Sequence, residues 1–189
     1  LCTPLTSLAY EQGDVIVRAG ATQVQANNDY DPDGVSANSN TQLGINIVYM
    51  ATDNIGVELL AASPFKHDIK HKALGVIGST KQLPPTLSVQ YYMNNSSIIT
   101  PYVGAGLNYT VFFDENLDAL GIDNIELKDS AGLSLQAGVD IALNDNWGLN
   151  IDIRQIDIDT EVESSSGAAD GLDVYIDPLV YSFTALYKF

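Results

Sequence analysis

Cysteine, histidine and basic residues are scarce in this sequence, and each scarcity removes a class of function. The single cysteine, Cys2, excludes an internal disulfide and a thiolate metal site. Eight Lys and Arg stand against 24 acids, a formal charge of −16, which excludes nucleic acid as a partner because phosphate binding needs clustered bases. No apolar run approaches the roughly 18 residues that a spanning helix needs, and no 3.6-residue periodicity of useful length appears. The 189 residues fit one domain. A membrane location would therefore have to come from strands, whose signal per segment is weak.

The first nine residues are uncharged and end in Ser7-Leu8-Ala9, a small-x-small pattern before the polar Tyr10-Glu11-Gln12-Gly13-Asp14. This predicts the tail of a secretory signal over 1–9, cleaved after Ala9, with a single barrel domain over 10–189.

The feature that recurs is alternation of apolar and polar residues with period two, the mark of strands with two different faces. It places strands over 14–22, 42–50, 56–62, 86–92, 101–113, 131–142, 147–158 and 174–189. Short turns separate some of them, at 51–54, 93–97 and 143–146, and long polar links separate the others, near 27–41, 63–83, 114–129 and 160–173. Short-long alternation is the habit of an up-and-down membrane barrel with tight periplasmic turns and longer outer loops. The expected fold is all-β: an eight-stranded antiparallel transmembrane β-barrel with three short periplasmic turns and four longer extracellular loops.

One face of every strand is free of charge, as in Leu43, Ile45, Ile47, Tyr49 or Leu133, Leu135, Ala137, Val139, Ile141. The other carries Arg18, Asn46, Glu58, Gln90, Asn108, Gln136, Asp140, Asn150, Asp152, Arg154 and Lys188. A soluble barrel would bury the first face and a membrane barrel the second. Aromatic placement decides between them. Tyr49 and Tyr91 fall just before short turns, Trp147 just after one, and Tyr187 and Phe189 close the chain, all on the apolar face. Aromatic rings gathered at one level form a girdle at a membrane interface, so the apolar face points to lipid. The ending Tyr181-x-Phe183-x-Ala185-x-Tyr187-x-Phe189 resembles the insertion signal of Gram-negative outer-membrane barrels, which implies the barrel-assembly machinery as a partner through the C-terminal strand.

Several stretches resemble the OmpW family: Asn40-Thr-Gln-Leu-Gly44, Tyr49-Met-Ala-Thr-Asp-Asn-Ile-Gly-Val-Glu-Leu-Leu-Ala-Ala62, Leu83-Pro-Pro-Thr-Leu87, Pro101-Tyr-Val-Gly-Ala-Gly-Leu-Asn-Tyr109, Phe112-Phe-Asp114, Leu127-Lys-Asp129, Asp157-Ile-Asp-Thr160 and Asp177-Pro178. They follow in order over nearly the whole of 10–189. The resemblance implies a narrow apolar channel that takes up small hydrophobic molecules and releases them sideways into the membrane. The loops depart most from the family pattern, and 114–129 is unusually acidic.

Eight strands leave a lumen just wide enough for side chains, not a water-filled pore. Near the short turns and mid-barrel, inward parity predicts a polar plug of Arg18, Glu58, Asp140, Asp152, Arg154 and Lys188, whose opposite charges can pair. Higher up, the same parity gives Leu60, Phe112, Ile156 and Ile158, an apolar funnel open to the outside. A solute in that funnel needs a side exit. Pro84 and Pro85 lack backbone donors where a strand begins and predict a lateral gap, and Pro178 predicts a second.

Other features carry less chemistry. His67 and His71 stand four apart beside Lys66, Lys70, Lys72 and Lys81 in an expected loop, a solvated basic patch able to meet lipopolysaccharide phosphates. Asp29-Tyr-Asp-Pro-Asp-Gly34 copies the start of a calcium loop but has Asn40 where the closing Glu belongs. No cofactor or metal is expected. No serine is tied to the two histidines by a hydrolase motif, so no enzyme is expected. The rival to a channel is a barrel without transport, acting as adhesin, phage receptor or structural protein. Outer-membrane lipid and lipopolysaccharide are its expected surroundings.

Overall fold

The structure is a computed structural model that describes the backbone of residues 9–25, 35–37, 39–71, 75–116, 125–127, 129–164, 172–175 and 177–189; side chains are described for 9–25, 39–61, 63–64, 81, 83–111, 129–158 and 177–189. Most of the expected signal remnant, the Asp29–Gly34 segment and the side chains of Phe112, His67 and His71 lie outside the described residues.

The described chain is entirely strand and turn. In order, the strands are β1 (Val15–Gln25), β2 (Val35–Ala37), β3 (Asn40–Met50), β4 (Ile55–Ala62), β5 (Phe65–His71), β6 (Gly75–Leu83), β7 (Thr86–Tyr92), β8 (Ile99–Asn116), β9 (Ile125–Leu127), β10 (Ser130–Ala142), β11 (Trp147–Ile156), β12 (Asp159–Ser164), β13 (Leu172–Tyr175) and β14 (Leu179–Lys188). Eight of them close a ring: β1 pairs β3, then β4, β7, β8, β10, β11 and β14 follow, and β14 returns to β1 through Ala19 opposite Ala185. Every pairing is antiparallel, and closure leaves no edge of unpaired amides in hydrocarbon.

Burial confirms which face is which. Arg18, Glu58, Asp140 and Asn150 are fully buried, whereas Leu107, Leu133 and Leu135 are more than 60% exposed. This inversion of a soluble protein's pattern is stable only against lipid. Trp147, Tyr187 and Phe189 stack edge to face at 4.8 and 4.6 Å on the outside, level with exposed Tyr49 and Tyr91, and form the girdle beside the short turns. At the opposite rim Tyr109 and Tyr181 are exposed on the same face, and the Tyr109 hydroxyl donates to Asp129 at 3.0 Å.

The wall extends beyond the apolar band. Within 63–83, expected as a loop, β5 and β6 pair antiparallel; β6 adds to the upper end of the 18-residue β8, and β5 carries β2 on its far side. β9, β12 and β13 make a second small sheet from the other expected links. Period-two alternation does not report such strands, because a strand outside hydrocarbon needs no unbroken apolar face. Strand seven ends at Ile156 rather than 158, and strand eight starts at Leu179 rather than 174, because Asp177-Pro178 interrupts the ladder between them.

Candidate functional site: the barrel lumen

Short turns, the chain segment 9–14 and the C-terminus share one end of the barrel, here called lower. The lumen above it has three levels.

The lowest level is apolar. Ile16, Val48, Met50, Tyr92, Tyr102, Ala142 and Leu186 pack together, and Tyr10 reaches in from the segment before β1. The expected plug placed polar groups here; inward parity does supply Ile16, Val48, Met50 and Leu186 at this height, a signal available in the sequence but eclipsed by the charges above. Tyr10 could not be found that way, since it belongs to no strand. Its ring packs edge-on to Tyr92 at 4.9 Å and its hydroxyl donates to Asp140 at 2.6 Å. Burial, with the Asp140 carboxylate beside it, pushes the Tyr10 phenol well above its ordinary pKa, so it remains a donor. Gly13, at φ 99°, turns the chain under the rim, where its N–H bonds Met50 O at 2.9 Å.

Lys188, expected in the plug, stands apart from it. It donates to Ala9 O at 2.9 Å and lies 3.8 Å from Asp14, half-buried at the lower rim. It is the last residue of β14, so its inward parity opens onto the mouth and not the centre.

The middle level is a charged network drawn from seven strands. Glu58 sits at its centre: Arg154 Nη2 approaches at 2.7 Å, Arg18 Nη1 at 3.7 Å, Asn46 donates at 2.8 Å and Gln136 at 3.1 Å. Arg18 Nη2 binds Asp140 at 2.6 Å and Tyr92 Oη at 2.9 Å, with its guanidinium 4.8 Å from the Tyr102 ring centre. Arg154 also donates to Gln136, and its Nε lies 3.7 Å from Asp152, which accepts from Tyr102 at 3.1 Å. Asn150 joins Asp140 and Tyr102 at 2.8 and 3.0 Å. Of the predicted plug, Arg18, Glu58, Asp140, Asp152 and Arg154 thus meet in one cluster. Gly138 makes it possible, because a Cβ there would strike the Tyr102 ring.

The upper level mixes aliphatic and hydroxyl side chains. Val24, Leu60, Ile156, Ile158 and Val180 are buried there beside Thr22, Thr86, Thr110, Ser130 and Ser182. Inward parity predicts Leu60, Ile156 and Ile158; it does not single out the hydroxyls between them, because small polar residues suit either face.

Above this level two ladders stop. Between β4 and β7 the last pair is Leu60 with Thr86, although β4 runs on to Ala62 opposite Gly44 of β3. Tyr109 N–H still donates to Pro85 O at 3.0 Å, so Pro85 faces β8. By antiparallel alternation Pro84 faces β4, and the donor missing from that seam is its own. The break at Pro178 is different. Ile156 N–H donates to Pro178 O at 3.2 Å, Gln155 Nε2 to Asp177 O at 2.9 Å, and Ile158 N–H to Asp177 Oδ1 at 3.2 Å. The predicted gap there is bridged, and Asp177 adopts the left-handed φ of 31° to do it.

A closed, even-stranded antiparallel barrel, apolar outside and polar within, defines the class of outer-membrane β-barrel proteins. The chain belongs to the OmpW family, which it matches over residues 11–189. It is 45% identical to outer membrane protein W of Vibrio cholerae, over 96% of this chain and 91% of that protein. The crystal structure of OprG from Pseudomonas aeruginosa superposes with a TM-score of 0.84 at 38% identity, covering 97% of this chain and 99% of that one. The dibenzothiophene metabolism operon protein PahQ of Pseudomonas aeruginosa is 30% identical over 56% of this chain and 50% of its own. The protein is a barrel of the cell outer membrane, set in lipid.

Proposed function

We propose that the protein is an outer-membrane channel for uptake of small hydrophobic molecules, which enter the upper lumen from outside and leave laterally through the β4–β7 seam. The observation that carries this reading is the contrast along one lumen. In the lower two levels a packed apolar cluster and cross-lumen ion pairs lie across the way to the periplasm. The upper level offers Leu60, Ile156 and Ile158 and lies next to an interrupted ladder at Pro84. An apolar solute stopped by a charged floor keeps its apolar contacts only by moving sideways. The dibenzothiophene metabolism operon protein PahQ agrees with this solute class, dibenzothiophene being apolar. No catalytic chemistry is read into the lumen. Lipopolysaccharide at the upper rim, and the assembly machinery at β14 with its terminal aromatics, complete the proposed partners.

The test is uptake of a small hydrocarbon by intact cells carrying Leu60→Arg or Ile156→Asp. Each variant should slow uptake several-fold while the barrel still inserts and shows a heat-dependent gel mobility. Unchanged uptake in an inserted variant would favour the adhesin, phage-receptor or structural reading.

A further inference from the structure

Just above the charged network, two hydroxyls face the lumen on either side of a glycine. Ser88 of β7 pairs with Gly106 of β8, and Gly106 pairs with Ser134 of β10. A Cβ on Gly106 would collide with Ser88 Oγ, so that hydroxyl lies in the space a side chain there would take. Both serines are 1% exposed, and neither Oγ has a hydrogen-bond partner among the described residues. Arg154, two residues below Ile156 on β11, commits Nη2 to Glu58 and Gln136, while its Nε and Nη1 make no hydrogen bond there. Ser134 lies directly opposite Ile156. Ser88 lies opposite Glu58, whose second neighbour along β4 is Leu60.

Unpaired buried hydroxyls and guanidinium N–H groups are costly. Here they are gathered where the polar floor meets the first aliphatic side chains. The surrounding charge restricts what can satisfy them. The network holds three carboxyl groups, Glu58, Asp140 and Asp152, against two guanidinium groups, Arg18 and Arg154. An anionic head would add a fourth acid. A neutral oxygen that accepts from Arg154 and exchanges hydrogen bonds with the serines adds no charge.

We propose that Ser88, Ser134 and Nη1 of Arg154 bind the uncharged polar head of an amphipathic solute, an alcohol or ketone, whose hydrocarbon tail lies against Leu60, Ile156 and Ile158. This rests on the uptake reading and narrows its solute class: the channel prefers alkanols to alkanes of equal length.

The test compares n-heptane, 1-heptanol and heptanoate. Protein-dependent uptake is the difference between cells with and without the barrel. Ser88→Ala with Ser134→Ala should lower uptake of 1-heptanol about 25-fold, given about five-fold in affinity for each of the two hydrogen bonds lost. Uptake of n-heptane should stay within about two-fold, and heptanoate should gain little from the barrel at neutral pH. In parallel, wild-type protein in lipid nanodiscs is titrated by NMR. The Gly106 and Ser134 amides should shift with 1-heptanol and not with n-heptane. Equal loss of alkane and alkanol uptake overturns the head-group site, as does an unmoved Gly106 amide, which would mean that water alone satisfies the serines. Absence of any protein-dependent uptake would overturn the channel reading; the Gly106 shift then decides the binding site by itself.

Discussion

The lower and upper halves of this lumen are built from the same eight strands with the same inward parity, yet one is locked and the other is not. Below, the charged inward side chains meet partners from other elements: Tyr10 with Asp140, Arg18 with Asp140 and Glu58, Arg154 with Glu58. Above, aliphatic groups and small hydroxyls contact the wall they come from, and the wall itself loses a ladder between β4 and β7. The difference teaches that closure of a small barrel is not uniform around or along it. Cross-lumen ion pairs tie opposite strands together where the charges are, and the β4–β7 ladder ends at Leu60 and Thr86 where they are not.

The sharpest way to break the comparison is at its centre. Glu58→Ala should leave the Arg154 guanidinium largely unpaired and lower the unfolding free energy by about 3–5 kcal/mol, the usual cost of removing one partner from a buried pair. Urea denaturation in lipid vesicles measures it. A loss below about 1 kcal/mol would show that the lower half is not locked by this network.

Next comes the seal beneath it. Tyr10→Phe keeps the ring on Tyr92 and removes the hydrogen bond to Asp140, a loss of about 1.5 kcal/mol for a bond to a carboxylate. Tyr10→Ala should in addition raise ion conductance in planar bilayers, because it opens the apolar level under the charged one. Unaltered conductance in the alanine variant would place the seal in the strands alone.

The seam follows. Pro84→Val restores a donor facing β4, with a β-branched side chain suited to a strand. It should stabilise the barrel by about 1 kcal/mol and slow uptake of a small hydrocarbon. Pro85→Thr, whose donor would face β8, should leave uptake near wild type. Equal effects of the two would remove the β4–β7 seam as the exit. The smallest change belongs to the bridged seam: Asp177→Asn keeps both the acceptor for Ile158 N–H and tolerance of a left-handed backbone, and should alter stability by less than about 0.5 kcal/mol, whereas Asp177→Ala should cost about 1 kcal/mol.

The sequence by itself determined the eight spanning strands, their two faces and the lipid-facing girdle, because a membrane demands an unbroken apolar face and a period of two reports it residue by residue. It also determined that Arg18, Glu58, Asp140, Asp152 and Arg154 point inward. Tertiary structure decided the rest. Parity says only that a side chain faces the lumen, not which of seven other strands supplies its partner, so Glu58 as the hub, Lys188 at the rim and Tyr10 in the mouth depended on closure and tilt. Alternation does not report the β5–β6 pair, since strands outside hydrocarbon need no unbroken apolar face. The fate of the prolines also needed the register: which neighbour a missing N–H would have faced, and whether a side chain such as Asp177 steps in, depends on the partner strand and not on proline itself.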